Sequence, residues 1–303
     1  MVASAEPVTP RRAQALRDYI RLTRLDRPIG IWLLLWPTLW ALWIAAGGEP
    51  SLRLVLIFIA GTVLMRSAGC IVNDLADRNL DLHVKRTRDR PLATRRLSPY
   101  RALVLFGVLV ALALLLVLQL NTATIRLALI GAALTISYPF FKRFFPLPQF
   151  YLGLSFGWGV PMAFTAQLGY VPRAGWVLML AAVLWTGVYD TFYAMVDRDD
   201  DVKVGVHSSA ISFGDMDLLL IAVMQAMVLL ALVLAGRAFG LGTAFQLSLA
   251  IGALLFGAQQ WIARQRERAA CLRAFEHNNY FGAVVMIGLI IDFVGRGAAG
   301  TLP

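Results

Sequence analysis

Apolar residues gather into nine runs along the chain, at about residues 29–46, 54–73, 101–119, 124–141, 149–168, 175–196, 218–236, 241–262 and 280–295, and most charged residues lie between them. An α-helix needs about 20 apolar residues to cross a hydrocarbon core of about 30 Å. The pattern therefore predicts an all-α, polytopic membrane protein of about nine transmembrane helices, the fourth and ninth runs being short for the task. No interval between runs is long enough for a soluble domain. Residues 28–303 read as one transmembrane domain, preceded by an N-terminal segment, 1–27.

Composition excludes the soluble alternative. Hydrophobic residues make up 59% of the 303 positions and charged residues 15%, with a mean hydropathy of +0.68. Soluble domains average about 45–50% apolar and 25% charged residues. Two cysteines, Cys70 and Cys271, give neither a disulfide framework nor a metal-ligand spacing. Cys70, inside an apolar run, reads as a buried, inert thiol.

The formal charge of +10 raises the question of nucleic acid, and its placement answers it. Arg11, Arg12, Arg17, Arg21, Arg24 and Arg27 precede the first run. The stretch after the second run carries Arg78, Lys85, Arg86, Arg88, Arg90, Arg95, Arg96 and Arg101, and alternate later intervals carry Lys142, Arg143, Arg198, Lys203, Arg264, Arg266, Arg268 and Arg273. The other side has Arg53, Arg126, Arg173, Arg237 and Arg296. This is the asymmetry of the positive-inside rule, so the partner is a lipid bilayer and no nucleic acid is needed. The expected setting is a bacterial cytoplasmic membrane with the N-terminus inside. Residues 1–27 lack the apolar core of a secretory signal, and the spacing of Leu16, Tyr19, Ile20 and Leu22 predicts an amphipathic helix on the cytoplasmic surface.

The acids are more telling. A large share of the 18 falls in two stretches, Asn73-Asp74-Leu75-Ala76-Asp77-Arg78-Asn79-Leu80-Asp81 and Tyr189-Asp190 through Asp197-Arg198-Asp199-Asp200-Asp201. At about 100° per residue, Asp74, Asp77 and Asp81 share one helical face, and so do Asp190, Asp197 and Asp201. Ionised groups near a bilayer cost about 2.5–3.5 kcal/mol each on insertion scales, so six of them on two faces call for a compensating cation. Hard carboxylate oxygens suit Mg²⁺ or Ca²⁺, and Mg²⁺ commonly joins one or two carboxylates to substrate phosphates. Two such faces would clamp a diphosphate through metal ions. The plain alternative is interfacial acids paired with Arg78, Arg88 or Arg198.

Basic residues stand beside both clusters. His83 through Leu92 brings Lys85, Arg86 and Arg90, and Lys142 and Arg143 follow Tyr138-Pro139. Arg66 lies within the second run, seven residues before Asn73 and so on nearly the same face. Arginine at that depth should face the bundle interior, where it can bind phosphate oxygens bidentately.

At these residues the chain resembles the UbiA superfamily of intramembrane prenyltransferases, whose NDxxDxxxD and DxxxD motifs are matched by Asn73–Asp81 and Asp197–Asp201. It is most similar to the bacterial 4-hydroxybenzoate polyprenyltransferases in three stretches: Arg27-Pro28-Ile29-Gly30 with Leu35-Trp36-Pro37-Thr38-Leu39-Trp40-Ala41, Asn73 to Leu92, and Tyr189 to Val204. The resemblance implies helices around a central cavity with a cytoplasmic cap. It also implies Mg²⁺ bridging the motifs to a polyprenyl diphosphate, through Asn73, Asp77, Asp197 and Asp201, with Asp74 and Asp81 in support. The reaction implied is prenylation of 4-hydroxybenzoate ortho to its hydroxyl, a step of ubiquinone biosynthesis. Asp190 matches an acid near the aromatic acceptor, and Arg27 and Arg143 are candidates for its carboxylate. Phe141, Phe156, Trp158 and Phe192 are candidates to face an allylic cation. Other acceptors (homogentisate, dihydroxynaphthoate, haem) stay open, as does a transporter, although the acids sit at helix ends rather than at the membrane midplane.

Overall fold

A computed structural model of the chain describes residues 11–142, 145, 147–204 and 208–296. Among these residues the structure is all-helical, in the order α1 (Arg11–Thr23), α2 (Ile29–Ala45), α3 (Leu52–Asp77), α4 (Pro99–Val117), α5 (Thr122–Phe141), α6 (Pro148–Gly157), α7 (Gly159–Leu168), α8 (Arg173–Val204), α9 (Ser209–Phe213), α10 (Asp217–Ala238), α11 (Thr243–Ala263) and α12 (Arg268–Arg296), with short 3-10 turns at Asp81–His83 and Gly214–Met216. Eight of the nine apolar runs each form one helix, and the fifth forms two. Seven described helical segments are long and apolar enough to cross a membrane, and α2, at 17 residues, is slightly shorter. The chain is a multi-pass membrane protein.

Local chemistry fixes the helix starts. Ser51, Ser98 and Asn121 cap α3, α4 and α5 by accepting the backbone N–H of Leu54, Arg101 and Thr124, each bond satisfying a donor that the first turn leaves open. The fifth run breaks because Pro161 cannot follow Gly157 through a continuous helix. The break sends α6 against α8 and α7 against α2. Gly159 is needed for the second contact, since a Cβ there would sit 2.1 Å from Thr38 Oγ1.

Apolar burial drives little helix association in lipid, where close packing and hydrogen bonds take over. Both are visible where α2, α8 and α12 meet. The indole N–H groups of Trp36, Trp40 and Trp185 donate to Asn279 Oδ1 (2.9 Å), the Gly282 carbonyl (3.2 Å) and Asn278 Oδ1 (2.8 Å). Trp40 stacks on Trp185 at 5.3 Å between ring centroids. A Cβ at Gly282 would lie 2.2 Å from the Trp36 ring, so the tryptophan rests on bare backbone.

Helices α3 and α8, with 26 and 32 residues, are about 39 and 48 Å long at 1.5 Å per residue. Both exceed the hydrocarbon core, and their C-terminal ends carry the two acidic stretches. Over those ends lies a cap made of α1 and residues 78–98. Leu22 of α1, Ile71, Leu92, Leu97 and Ala102 form its small apolar core, with Tyr19 against it. The amphipathic first helix expected from sequence is thus present and docked on the cap through Leu22, with Leu16 exposed.

Candidate active site

Beneath the cap the helices enclose a cavity of about 1980 Å³. All six phased acids, Asp74, Asp77, Asp81, Asp190, Asp197 and Asp201, line it, together with Asn73. For α8 the helical-phase argument holds because the helix continues unbroken through Asp201. For the first stretch it holds only to Asp77, where α3 ends. Asp81 sits in the next 3-10 turn and returns to the cluster through Arg90, which bonds its carboxylate at 2.9 and 3.0 Å and that of Asp74 at 3.0 Å.

Four of these acids, Asp74, Asp77, Asp81 and Asp197, are compensated by cations of the chain itself. Asp74, fully buried, takes both bonds from Arg24 Nη2, at 2.7 and 3.0 Å. Lys142 Nζ donates to Asn73 Oδ1 at 2.8 Å and to Asp77 Oδ2. Arg86 Nε bonds Asp197 at 2.9 and 3.0 Å, with its guanidinium 4.5 Å above the Tyr193 ring. Asp200 turns away to Arg268, at 3.2 Å. Of the arginines offered as ordinary interfacial partners, Arg198 approaches Asp217 at 3.5 Å, outside the cavity. Among the described residues no three Asp, Glu, His or Cys side chains gather to hold a metal unaided. Even with Arg90 beside it, burial pushes the Asp81 carboxyl above its ordinary value, and the charges of Asp74 and Asp77 add to the rise.

This donor set still fits a metal brought with a substrate. Mg²⁺ typically takes one or two carboxylates and completes its octahedron with phosphate oxygens and water. The Lys142 ammonium already occupies the position between Asn73 Oδ1 and Asp77, standing in for a cation shared by two motif oxygens. On α8, Asp197 and Asp201 offer the equivalent pair of hard oxygens.

Below this layer is a second one. Arg66 lies seven residues before Asn73 on α3, and Asp190 seven residues before Asp197 on α8, so each is about 10 Å deeper along its helix. Arg66 donates to Cys70 Sγ at 2.9 Å and stands 5.7 Å from the Phe156 ring centroid. The buried Cys70 thiol is therefore an arginine support. Tyr138, Tyr189 and Phe156 line the cavity at this level with Asp190.

Other expected residues are distributed differently. Arg27 is exposed at the cavity mouth. Lys85 is exposed and does not line the cavity. Arg143 lies outside the described residues. Of the proposed aromatic faces, Phe156 and Trp158 line the cavity, whereas Phe192 is buried in the core and Phe141 stacks on Tyr151 at 4.6 Å.

Sequence reading missed Arg24 and Gly30. Arg24 ends α1 with φ at +59°, a left-handed position usually filled by glycine; its salt bridge to Asp74 accounts for a charged residue there. Gly30 faces Arg66, and a Cβ on it would lie 2.6 Å from Arg66 Nε. The one signal for Gly30 was its place in Arg27-Pro28-Ile29-Gly30.

The comparisons agree with this architecture. The model of the UbiA prenyltransferase family matches residues 34–283. A 4-hydroxybenzoate octaprenyltransferase of Pseudomonas syringae is 53% identical over 279 residues, covering 92% of this chain and 94% of that one. The apo structure of a UbiA homologue from Aeropyrum pernix superposes with a TM-score of 0.75 at 26% identity, over 87% of this chain and 97% of that one. A UbiA homologue from Archaeoglobus fulgidus bound to GPP and Mg²⁺ shares the fold at a TM-score of 0.67 and 17% identity, over 90% of this chain and 99% of that one. With a family model covering most of its length and a relative at this identity, the chain belongs to the UbiA prenyltransferase family.

Proposed function

We propose that the protein transfers a polyprenyl group from polyprenyl diphosphate to the carbon ortho to the hydroxyl of 4-hydroxybenzoate, with release of diphosphate. The reaction takes place at the cytoplasmic side of a bacterial inner membrane, the N-terminus also being inside. The observation that carries this reading is the two-layered cavity: a layer of motif acids and cations under the cap, and a deeper layer pairing one cation, Arg66, with one acid, Asp190. The names of the relatives point the same way.

The upper layer suits the diphosphate. Lys142, Arg86 and Arg90 offer N–H donors to its oxygens, and Asn73, Asp77, Asp197 and Asp201 are the residues that would hold Mg²⁺. The metal, when bound, neutralises the diphosphate and eases its departure. As the C–O bond breaks, positive charge spreads over the allylic carbons. Tyr138, Tyr189, Tyr193 and Phe156 present aromatic faces and no strong nucleophile to that charge, each contact worth about 0.5–2 kcal/mol.

The deeper layer suits a small aromatic acid with a phenol. Arg66 matches the carboxylate of 4-hydroxybenzoate, and Asp190 accepts the phenol proton, raising electron density at the ortho carbon. That carbon bonds the allylic carbon, its ring proton passes to the released diphosphate, and Asp190 returns its proton to the phenolate as aromaticity is restored. Arg66 fits the carboxylate better than exposed Arg27 does.

The test incubates membranes containing the protein with 4-hydroxybenzoate, mixed prenyl diphosphates and Mg²⁺, with EDTA and Asp77→Ala controls, and identifies products by mass. A 3-prenylated 4-hydroxybenzoate lost in both controls is expected. Diphosphate release with another aromatic acid and none with 4-hydroxybenzoate would move the acceptor assignment. No release under any condition would sink the reading.

A further inference from the structure

The cavity is far deeper than its charged layers require. Along α5 its lining runs from Lys142 to Ile125, about 25 Å at the helical rise, most of the way across a hydrocarbon core. Below Arg66 its walls are apolar, from Met65 and Phe58 on α3 to Met162 on α7. This lower arm also has a side opening. Helix α4 packs along α3, and α5 packs against α3, α6 and α7, but α4 and α5 scarcely meet. Leu114 on α4 and Leu129 on α5 both line the cavity while remaining 46% and 63% exposed. A side chain that faces both a cavity and the outside stands on the rim of a slot.

Gly61 lies on the way to that slot. Near the cap α3 and α5 approach closely, a Cβ on Gly69 falling 3.2 Å from Thr135. Two turns deeper, Gly61 lines the cavity, and a Cβ there would meet nothing within 4 Å. Gly61 is 12 residues from Asn73, about 18 Å along the helix. Glycine inside a helix costs about 0.5–1 kcal/mol relative to alanine, and here no neighbouring backbone or side chain requires it. What its missing side chain leaves is open channel.

We propose that the isoprenoid tail descends this apolar arm, passes Gly61 and enters the bilayer between α4 and α5 past Leu114 and Leu129, so that Gly61 decides how long a tail is accepted. The proposal rests on the prenyl-transfer reading. A tail longer than the arm has to leave it sideways, because its hydrocarbon has no place in water, and the slot opens at lipid depth. A geranyl tail, two isoprene units long, ends before Gly61, whereas an octaprenyl tail must run past it.

The experiment compares Gly61→Ala, Gly61→Leu and Gly61→Phe with the unaltered chain, using 4-hydroxybenzoate and either geranyl or octaprenyl diphosphate. Gly107→Leu is the control: that glycine is also free of neighbours within 4 Å but is exposed and does not line the cavity. The ratio of octaprenyl to geranyl product should fall stepwise with side-chain size, by roughly tenfold or more in Gly61→Leu, a discrimination within reach of a shaped apolar pocket. Gly107→Leu should leave the ratio unchanged. Equal loss of both products, or equal retention of both, in Gly61→Leu and Gly61→Phe would overturn the tail assignment. Absence of product from the unaltered chain with either tail would instead overturn the prenyl-transfer reading, and the tail route with it.

Discussion

Replacing Gly30 by alanine isolates the deeper layer without touching a charged residue. The added Cβ would lie 2.6 Å from Arg66 Nε, 2.7 Å from Nη2 and 3.0 Å from Cζ. Contacts under 3.0 Å do not persist, and the guanidinium is the part able to yield. Its displacement breaks the 2.9 Å bond to Cys70 Sγ and moves it from the Phe156 face. If Arg66 pairs with the acceptor carboxylate, the loss is that of a hydrogen bond to a charged group, about 1.5–3 kcal/mol. This corresponds to roughly a 10- to 150-fold fall in kcat/KM for 4-hydroxybenzoate at about 1.4 kcal/mol per decade. Helix stability should not suffer, because alanine is the better helix former. The assay varies 4-hydroxybenzoate at saturating prenyl diphosphate, then the reverse. The effect should fall on the acceptor, with the KM for prenyl diphosphate within about threefold of the parent, a spread below 1 kcal/mol. A rise confined to the prenyl diphosphate KM would refute the layering and move Arg66 to the leaving group. Unchanged kinetics would refute a role for the Arg66 position altogether.

Other residues carry separate expectations. Asp77→Ala and Asp197→Ala should each lower turnover by at least about 10²-fold, as losses of electrostatic stabilisation do, and excess Mg²⁺ should restore part of it if they hold the metal; full activity in either variant would exclude that residue. Arg24→Ala removes one of the two guanidinium partners of buried Asp74 and should destabilise the detergent-solubilised protein by about 1–3 kcal/mol, the cost of an under-satisfied buried group; Arg27→Ala, at an exposed site, should shift the melting temperature far less. Gly282→Ala places a Cβ 2.2 Å from the Trp36 ring and should cost about 1–3 kcal/mol or more through overpacking, read as loss of folded protein in size-exclusion chromatography; a parent-like profile would show that α2 and α12 separate without penalty.

The fold was legible where hydrophobic period and length decide it. Eight of the nine runs each mark one helix, and Pro161, four residues after Gly157, explains the one run that splits. The ends were less legible. The ninth run opens at residue 280 by hydropathy, but α12 starts at Arg268, since polar Asn278 and Asn279 face tryptophan indoles inside the bundle rather than water. Hydropathy assigns such residues to a loop, and only the partner helices show where their hydrogen bonds go. Asp81 fails in the opposite sense. Its helical phase with Asp74 was an accident of spacing, because α3 stops at Asp77 and it is Arg90 that returns Asp81 to the cluster.

Which residue types form the site was legible, and how they pair was not. Six acids near a membrane demand cations, and sequence alone assigns that demand to a metal. In the structure Arg24, Arg90, Lys142 and Arg86 meet part of it, on Asp74, Asp81, Asp77 and Asp197. A side chain 50 positions distant, such as Arg24 from Asp74, leaves no periodic signal. The pairing also explains why no metal nest of three acids is needed. Stripping a buried carboxylate of its partner costs about 3–5 kcal/mol, so a site of bare clustered acids would be unstable between turnovers. With Lys142 on Asp77 and Arg86 on Asp197, one carboxylate of each motif has a partner at rest. On the proposed reading, a diphosphate arriving with its cation would let Lys142 and Arg86 exchange carboxylate for phosphate while Asp77 and Asp197 take the metal in their place. Neither carboxylate would then lose its partner at either end of the exchange, which is what admitting a highly charged headgroup beside an apolar cavity requires.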